Sequence, residues 1–473
     1  MEVRLLLGTK EEDIKARTKI VASAGRLSRT PEDVMGVLAL DKGFEADKKF
    51  ANAVIKMGHE SISEHDYLVF AIKDVSPVVE QILIEERIVS FTIKSRREAD
   101  FSKVGYYEPK FRDENYDVLE SNTALSRLYQ EHMKYLFTSY SELIQMGLKK
   151  EDARFILPYS FHSNIIMGCD ARVLKSLIIR FTRGKESKIA ELREFGEKLY
   201  DIMCKYVPYY KEAIDAATIP ESDKVKEFFK GCQAPSVSDC AKVTMTNCPS
   251  DADKSILISA IKRIYNCTDA SAIEFYNNNL AGNIEAQRNL MQAILLNGGD
   301  EFSQVSFGFD VPISLASLTH LTRHRTHNLI IPDFVPIRDL NNYCEPPRLT
   351  DEMKAKFAEI YAKNYELYSK FKSAGVCEED LVYFYLAGTM FNVATNIDGK
   401  SFAHIARLRI CNKAQWEIRN ILIAMRALVM EVAPIYGNLL GPDCEIYGEC
   451  HEGRECCGRV HTIKNPKVTT KGE

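Results

Sequence analysis

Residues 146–161 read MGLKKEDARFILPYSF, and residues 374–389 read AGVCEEDLVYFYLAGT. The two stretches align at a fixed offset, so that Gly147 corresponds to Gly375, 228 positions further along the chain. Each stretch follows a Tyr-rich helical pattern and precedes another amphipathic pattern that ends at a proline. A spacing this long exceeds that of a solenoid repeat and predicts duplication of a whole domain.

The segments around this repeat predict a fold that contains both helices and strands. Apolar residues recur at helical spacing in ALSRLYQEHMKYLFTSYSELIQMG (124–147), IAELREFGEKLYDIMCKYVP (189–208) and AQWEIRNILIAMRALVMEVAP (414–434). The run DYLVFAIKD (66–74) is rich in aromatic and branched residues and indicates a strand. We therefore expect an α/β (α+β) protein made of two tandem domains, each with a sheet and long helices.

The predicted boundaries follow the repeat. GCQAPSVSDC (231–240) carries Gly, Pro and Ser and indicates a connection between domains. We place an N-terminal domain at 1–225, a C-terminal domain at 226–440 and a Cys-rich tail at 441–473.

Composition narrows the class of protein. The 473 residues are 45% hydrophobic and 27% charged, which is ordinary for a globular protein with an ample core. A formal charge of -4 argues against general nucleic-acid binding through a basic surface. The N-terminal stretch turns charged by Lys10 and has no long apolar region, so we expect no signal peptide. Thirteen scattered cysteines fit a reducing cytosol, and we expect a soluble cytoplasmic protein without membrane spans.

The segment HLTRHRTHN (320–328) places three potential cations, Arg323, His324 and Arg325, side by side. The flanking runs 313–321 and 329–335 are apolar enough to be buried, so the triplet is expected to line a pocket. Adjacent cations repel one another, and a ligand of fixed negative charge such as a phosphate would compensate them. Nucleic-acid contact is the alternative, although it usually involves a wider basic patch.

Three other segments carry polar clusters with two interpretations each. In GHESISEH (58–65) the histidines are six apart, which does not place them on one helix face, so a polar loop is favoured over a zinc site. The segment 85–101 has Arg87, Ser90, Ser95, Arg96 and Arg97, which suit either a phosphate or base carbonyl, or a solvated salt-bridged face. The tail 444–461 holds four cysteines and two histidines, which would bind a metal or remain free thiols in a loosely ordered segment.

Taken together, these segments resemble the flavin-dependent thymidylate synthase family. Its motifs are H-E-x3-E-H, then R-H-R-x2-S-x-N-x2-S-x-R-Y, and later an Arg before a Q-W-E-I helix. The first repeat has HESISEH, but its EERIVSFTIKSRRE (85–98) replaces the first two triplet residues by Glu85 and Glu86. The second repeat keeps the whole triplet and RLRICNKAQWEI (407–418), and it lacks H-E-x3-E-H.

The resemblance implies an FAD enzyme that methylates dUMP, with 5,10-methylenetetrahydrofolate and NADPH as co-substrates. In that family four identical chains share active sites, so two tandem chains would form a homodimer equivalent to a tetramer, with the repeats supplying complementary parts. The implied FAD-binding residues are Ser28, His59, Glu64, His65, Arg172, Arg323, His324 and Arg325. The implied dUMP-binding residues are Gln81, Ser95, Arg97, Arg154, Arg183, Arg323 and Arg409, of which Arg183 and Arg409 would also stabilise charge on the pyrimidine; no metal is implied.

Two other functions stay open on the sequence. Acidic residues at Glu85, Glu86 and Glu98 would reshape the pocket for C5 alkylation of another uridine nucleotide. Decay of the motifs would instead leave a flavin- or nucleotide-binding protein without catalysis.

Overall fold

The computed structural model describes residues 1–220, 223–233 and 242–468, and within them the two repeats form matching strands. The strands of the first repeat are β1 Glu2–Leu5, β2 Tyr67–Val75, β3 Ser90–Ile93 and β4 Ser163–Asp170. Those of the second repeat are β5 Thr244–Asn247, β6 Ser306–Ser314, β7 Asn328–Ile330 and β8 Met390–Asp398. The strand predicted over 66–74 is β2.

The helices recur in the same order. The first repeat contains α1 Glu11–Leu27, α2 Val34–Ala39, α3 Phe44–Lys56, α4 Pro77–Ile84, α5 Asn122–Gln145, α6 Lys150–Ala153, α7 Ala171–Arg183, α8 Ala190–Tyr206, α9 Lys211–Asp215 and α10 Lys224–Phe228. The second repeat contains α11 Ala252–Tyr265, α12 Asp269–Asn279, α13 Ile284–Leu296, α14 Leu315–Leu321, α15 Asp351–Ser373, α16 Glu378–Leu381, α17 Gly399–Arg409, α18 Trp416–Val432, α19 Pro434–Gly437 and α20 Asp443–Ile446. The three predicted long helices are α5, α8 and α18.

Each repeat builds one four-stranded antiparallel sheet with the same strand order. The orders are β1-β2-β4-β3 and β5-β6-β8-β7, so the first and third strands along the chain of each repeat lie at the edges. The last strand of each repeat, β4 or β8, ends in an aspartate that caps the next helix, because Asp170 accepts from the Val173 amide at 2.9 Å and Asp398 accepts from the Ser401 amide at 3.0 Å. Such a side-chain cap satisfies a helix amide that has no partner within the helix.

The quoted repeat stretches adopt the same turn. Gly147 (φ 95°) and Gly375 (φ 85°) both take left-handed backbone angles after α5 and α15, a conformation that favours glycine over residues with a Cβ. Each is followed by a one-turn helix, α6 or α16, and then by a 3₁₀ turn, Arg154–Ile156 or Val382–Phe384. The fixed offset of 228 therefore extends from sequence to structure.

The described chain forms two compact units whose limits cross the repeats. One unit contains Met1–Pro235 and Phe334–Thr389, and the other contains Ser236–Asp333 and Met390–Glu473. The domain limits 1–225, 226–440 and 441–473 follow the sequence repeat and stay a prediction. Residues 234–241, which include most of the predicted connection, lie outside the described residues.

Within the first unit, the two copies of the repeated stretch pair with each other. The amide of Tyr159 donates to the carbonyl of Tyr385 at 2.7 Å, and the amide of Ala387 donates to the carbonyl of Leu157 at 2.9 Å. Because Tyr385 and Ala387 are the counterparts of Leu157 and Tyr159 at the offset of 228, the same hydrogen bond is made twice with the roles exchanged. This reciprocity is the signature of an isologous contact between two equivalent domains.

Burial explains why this pairing is stable. The long helices α5 and α15 bring apolar side chains to this core, among them Leu136 and Phe357, both fully buried. His132 and Asn364 form a buried hydrogen bond of 2.9 Å between the same two helices. Each large apolar side chain taken out of water contributes roughly 1.5–3 kcal/mol. No helix in the described part of the chain is long and apolar enough to span a membrane.

Candidate functional site

The triplet of the second repeat follows a short helix whose first turn is held by a buried carboxylate. All seven residues of α14 are buried, and its N-cap Ser314 accepts the Ser317 amide at 3.1 Å. Glu417, near the start of α18, accepts the Ser314 amide at 2.7 Å and the Ser314 hydroxyl at 2.6 Å. The Ser317 hydroxyl lies 2.6 Å from the same carboxylate. The helix that precedes the triplet is therefore fixed from its first turn.

Gln415 joins the beginnings of α14 and α18. Its Oε1 accepts the amides of Glu417 and Ile418 at 3.0 and 3.1 Å, which caps α18. The Ser317 hydroxyl lies 2.9 Å from the same oxygen. Gln415 and Ser317 are almost fully buried, where an unsatisfied polar group would cost about 1–3 kcal/mol. The Q-W-E sequence thus has a structural role next to the triplet.

The triplet itself contains two exposed arginines around one buried histidine. Arg323 and Arg325 are exposed, whereas His324 is 7% exposed. The Nε–H of Arg409, at the end of α17, donates to Nε2 of His324 at 2.8 Å. Burial, reinforced by the charges of Arg409 and other nearby basic groups, lowers the pKa of His324 to about 3. The triplet therefore presents two positive charges, which removes most of the repulsion expected from three.

One burial expectation around the triplet is confirmed and the other is wrong. Residues 313–321 are buried throughout. In 329–335 only Phe334 is buried, and Ile330 is 75% exposed. The reason is that β7 is the edge strand of its sheet and pairs only with β8. The exposed arginines therefore border a surface rather than a fully enclosed cavity.

Several site residues were missed by sequence reasoning. His327 is buried, with Nδ1 2.9 Å from the Thr395 hydroxyl and Nε2 3.3 Å from the Leu321 carbonyl, so it fixes the loop that carries the triplet. Glu417, Ser314 and Ser317 were also missed. A signal existed, since two serines three residues apart in an apolar helix share one face and need a buried partner.

We call the buried Glu417, with its hydrogen bonds to Ser314, the carboxylate brace. The first repeat has an equivalent brace but different residues at the triplet positions. Glu191 accepts the Ser76 amide at 2.8 Å, as Glu417 does with Ser314. Burial raises the pKa of Glu191 to about 7, against the opposing hydrogen bonds from Ser76 and from Tyr383, whose hydroxyl lies 3.1 Å away. At the position of His324 this repeat has Glu86, which accepts from Arg180 at 2.8 Å.

Arg180 is held by carboxylates of its own repeat. Its Nε donates to Glu186 at 2.8 Å, in addition to the contact with Glu86. Burial lowers the pKa of Arg180, but the carboxylates of Glu186 and Glu86 outweigh it and raise the pKa overall. In the second repeat the neutral His324 contacts Arg409. In the first repeat Arg180 lies between the two acids Glu86 and Glu186.

Two predicted nucleotide-binding arginines of the first repeat meet at one residue. Arg97 donates through Nε to the Glu151 carboxylate at 2.9 Å, and Arg154 donates to the Glu151 carbonyl at 3.2 Å. Ser95 is exposed and accepts the Arg97 amide at 3.3 Å. The neighbouring Arg96 is buried and paired with Glu80, so it belongs to the core and not to a solvated face.

The other two predicted substrate residues of this repeat, Gln81 and Arg183, have different hydrogen-bond partners from that pair. Gln81 is buried on α4 and donates through Nε2 to Glu85 at 3.1 Å. Arg183, at the end of α7, donates to the carbonyls of Ile214 and Ala217, the latter at 2.7 Å. None of the contacts described for Arg183 joins it to Gln81.

The segment HESISEH is a short 3₁₀ helix over Glu60–His65, and the expectation of an irregular polar loop is corrected. Two ion pairs attach it to α7, from Arg172 to Glu64 at 2.5 Å and from Lys175 to Glu60 at 2.7 Å. His59 precedes this helix, His65 is its last residue, and both are exposed. The predicted flavin residues Glu64 and Arg172 are thus brought together, while Ser28 is exposed at the end of α1.

The described part of the tail has contacts near its two ends, whereas no residue from 448 to 467 is buried, so the expectation of a loosely ordered segment stays a prediction. Glu445 on α20 accepts from Arg426 at 2.8 Å, and its carbonyl accepts the Lys467 amide at 3.1 Å. Val468 is 2% exposed. Among the residues with described positions, no three His, Cys, Asp or Glu side chains are arranged to hold a metal ion.

The chain is therefore a duplicated α/β protein in which one repeat carries a basic triplet beside a buried carboxylate brace. The sequence model of the thymidylate synthase complementing protein family matches residues 12–209 and 249–435. These two regions cover most of the chain, which belongs to this flavin-dependent family and contains its domain twice.

Two relatives by sequence agree with the family. A flavin-dependent thymidylate synthase from Thermococcus onnurineus is 34% identical over 155 residues, which cover 32% of this chain and 60% of the relative. One from Halobacterium salinarum is 27% identical over 240 residues, covering 46% of this chain and 96% of the relative. A solved structure, the UMP/dUMP methylase PolB from Streptomyces cacaoi bound with 5-Br dUMP, has 21% identity and a TM-score of 0.36 over 46% of this chain and 94% of its own.

Proposed function

We propose that this protein is an FAD-dependent thymidylate synthase, which converts dUMP to dTMP with methylenetetrahydrofolate as carbon donor and NADPH as reductant. Family membership supports this reaction class. The observation that carries the proposal is the grouping of Arg323, His324, Arg325 and Arg409 in the second repeat, with Arg409 bonded to His324 at 2.8 Å.

The residues around the triplet fit a flavin nucleotide. The FAD diphosphate is a fixed anion, and guanidinium groups bind phosphate oxygens through two parallel N–H donors. Arg323 and Arg325 are exposed and follow a helix whose first turn is fixed by Glu417. When bound, the flavin would supply the redox chemistry, while the protein supplies orientation and electrostatics.

The remaining assignments concern the nucleotide substrate. We assign dUMP binding to Arg97 and Arg154, which converge on Glu151, and to Gln81, Ser95 and Arg323. Arg183 and Arg409 would stabilise negative charge that develops on the pyrimidine, because a positioned cation lowers the free energy of such a state. The remaining flavin contacts are assigned to Ser28, His59, Glu64, His65, Arg172 and the rest of the triplet.

The test is activity of the full chain in two settings. Expression should allow a thymidine-requiring bacterial strain to grow without thymidine. The purified protein should bind FAD and form dTMP from dUMP only when methylenetetrahydrofolate and NADPH are both present, with two chains per particle by mass. If the protein binds flavin but methylates another uridine nucleotide, that nucleotide replaces dUMP as the proposed substrate. Absence of both flavin and dUMP binding would refute the proposal.

A further inference from the structure

His324 is held by a group that can only donate hydrogen bonds. Arginine has five N–H donors and no acceptor, and its Nε–H points to Nε2 of His324 at 2.8 Å. Nε2 must therefore carry a lone pair rather than a proton. In the neutral imidazole the single proton then lies on Nδ1.

The groups facing His324 are themselves basic. Arg409 and His404 face it from α17, with the His404 ring centroid 6.2 Å away, and His327 and Arg323 face it from its own segment. A proton on His324 would add a charge next to Arg409 in a buried position, which both burial and like-charge repulsion oppose.

We propose that His324 is a positioning residue that stays neutral, accepts the Nε–H of Arg409 and thereby orients that guanidinium, so that the triplet binds its anion with the two charges of Arg323 and Arg325. The part of this inference that concerns Arg409 and a bound anion rests on the proposed function. The tautomer of His324 does not, because it is a property of the protein without ligand.

A pair of substitutions separates this role from that of a cation. Glutamine can place its carbonyl oxygen close to the position of Nε2, so His324→Gln should keep FAD and dUMP dissociation constants within about 3-fold. His324→Lys introduces a positive charge, removes the acceptor and repels Arg409, so it should weaken binding by at least about 10-fold, as should His324→Ala. If His324 acts as a cation, the order is reversed. Binding by the Lys variant as tight as wild type, or a folded Gln variant as weak as the Ala variant, overturns the proposal.

A second measurement needs neither ligand nor activity. Nitrogen NMR of the full chain with ¹⁵N-labelled histidine, with His324 assigned by its loss in His324→Gln, reports which ring nitrogen carries a proton. Spectra at about pH 5.5 and about pH 7.5, on either side of the ordinary histidine pKa near 6.5, should both show Nδ1 protonated and Nε2 unprotonated. A doubly protonated ring at the lower pH overturns the proposal. If the tautomer is as stated and FAD and dUMP fail to bind, the proposed function fails and the assignment of His324 stands.

Discussion

The two repeats share a brace and differ in the charges beside it. In both, a serine caps a short buried helix and a buried glutamate accepts that serine's amide, at 2.8 Å for Glu191 with Ser76 and 2.7 Å for Glu417 with Ser314. After this helix the first repeat continues with two acidic residues and Arg87, and the second with the basic triplet.

The difference shows which features folding itself requires. A buried amide without an acceptor costs about 1–3 kcal/mol, so both copies need the glutamate. Charges near the surface change folding energy by about 0–1 kcal/mol, so one copy can invert them without losing its structure. In the first repeat the carboxylate of Glu86 neutralises Arg180. In the second repeat Arg409 contacts His324, which supplies no negative charge.

The largest expected effect comes from reversing one triplet charge. Arg325→Glu should weaken FAD binding by at least about 100-fold, because it removes a charge-assisted contact worth about 1.5–3 kcal/mol and adds repulsion. Arg288→Glu, at an exposed position on α13, makes the same change in net charge and should leave affinity unaltered. Flavin fluorescence titration measures both. If Arg87→Glu in the first repeat weakens binding as strongly as Arg325→Glu, the contrast between the repeats fails.

A pH dependence of stability should distinguish the second repeat. The pKa of His324 is about 3 in the folded protein and near 6.5 in the unfolded chain. Below pH 6.5 the unfolded state binds a proton that the folded state does not bind. The free energy of unfolding therefore falls by about 1.4 kcal/mol for each pH unit, which amounts to about 3 kcal/mol near pH 4.5. Chemical denaturation of wild type and His324→Gln over this range should give curves that diverge as the pH falls. Parallel curves would contradict the neutral histidine.

The two braces should respond unequally to the same substitution. Glu417→Gln replaces an acceptor oxygen by an N–H₂ group facing the serine hydroxyls, so we expect a loss of about 2 kcal/mol in unfolding free energy. Glu191→Gln should cost less than about 1 kcal/mol below pH 7, where a carboxyl with a pKa of about 7 is already protonated. Urea denaturation at pH 6 measures the difference. Equal losses would contradict the expected difference between the two glutamates.

The pH dependence of the unfolding free energy tests the raised pKa of Glu191 separately. Its raised pKa means that the folded state holds a proton which the unfolded state has released, so this contribution falls as the pH rises from about 4.5 to about 7. Glu191→Gln should remove that decline.

The smallest effect is expected on the surface of the first repeat. Arg172 and Glu64 form an ion pair with side chains about half exposed, so Arg172→Ala should change unfolding free energy by less than about 0.5 kcal/mol. A fall in FAD affinity of about 10-fold in the same variant, with unchanged stability, would support the flavin role of Arg172. Unchanged affinity would remove this residue from the site.

The sequence by itself determined the elements and their repetition. The helices α5, α8 and α18 and the strand β2 follow from side-chain periodicity, and the turn at Gly147 and Gly375 follows from glycine after a helical pattern. These features depend on neighbours within one or two turns of the chain, so local chemistry is sufficient to predict them.

Only the tertiary structure decided which segments pair and which side chains are exposed or protonated. The exposure of Ile330 depends on β7 being an edge strand, and the place of 334–389 in the first unit depends on pairing with a segment more than 200 residues away. The protonation of His324 depends first on its burial and then on Arg409, which is 85 positions along the chain. A pKa is set by burial and by charges within a few ångströms, and the distance along the chain between two residues does not reveal that they are neighbours.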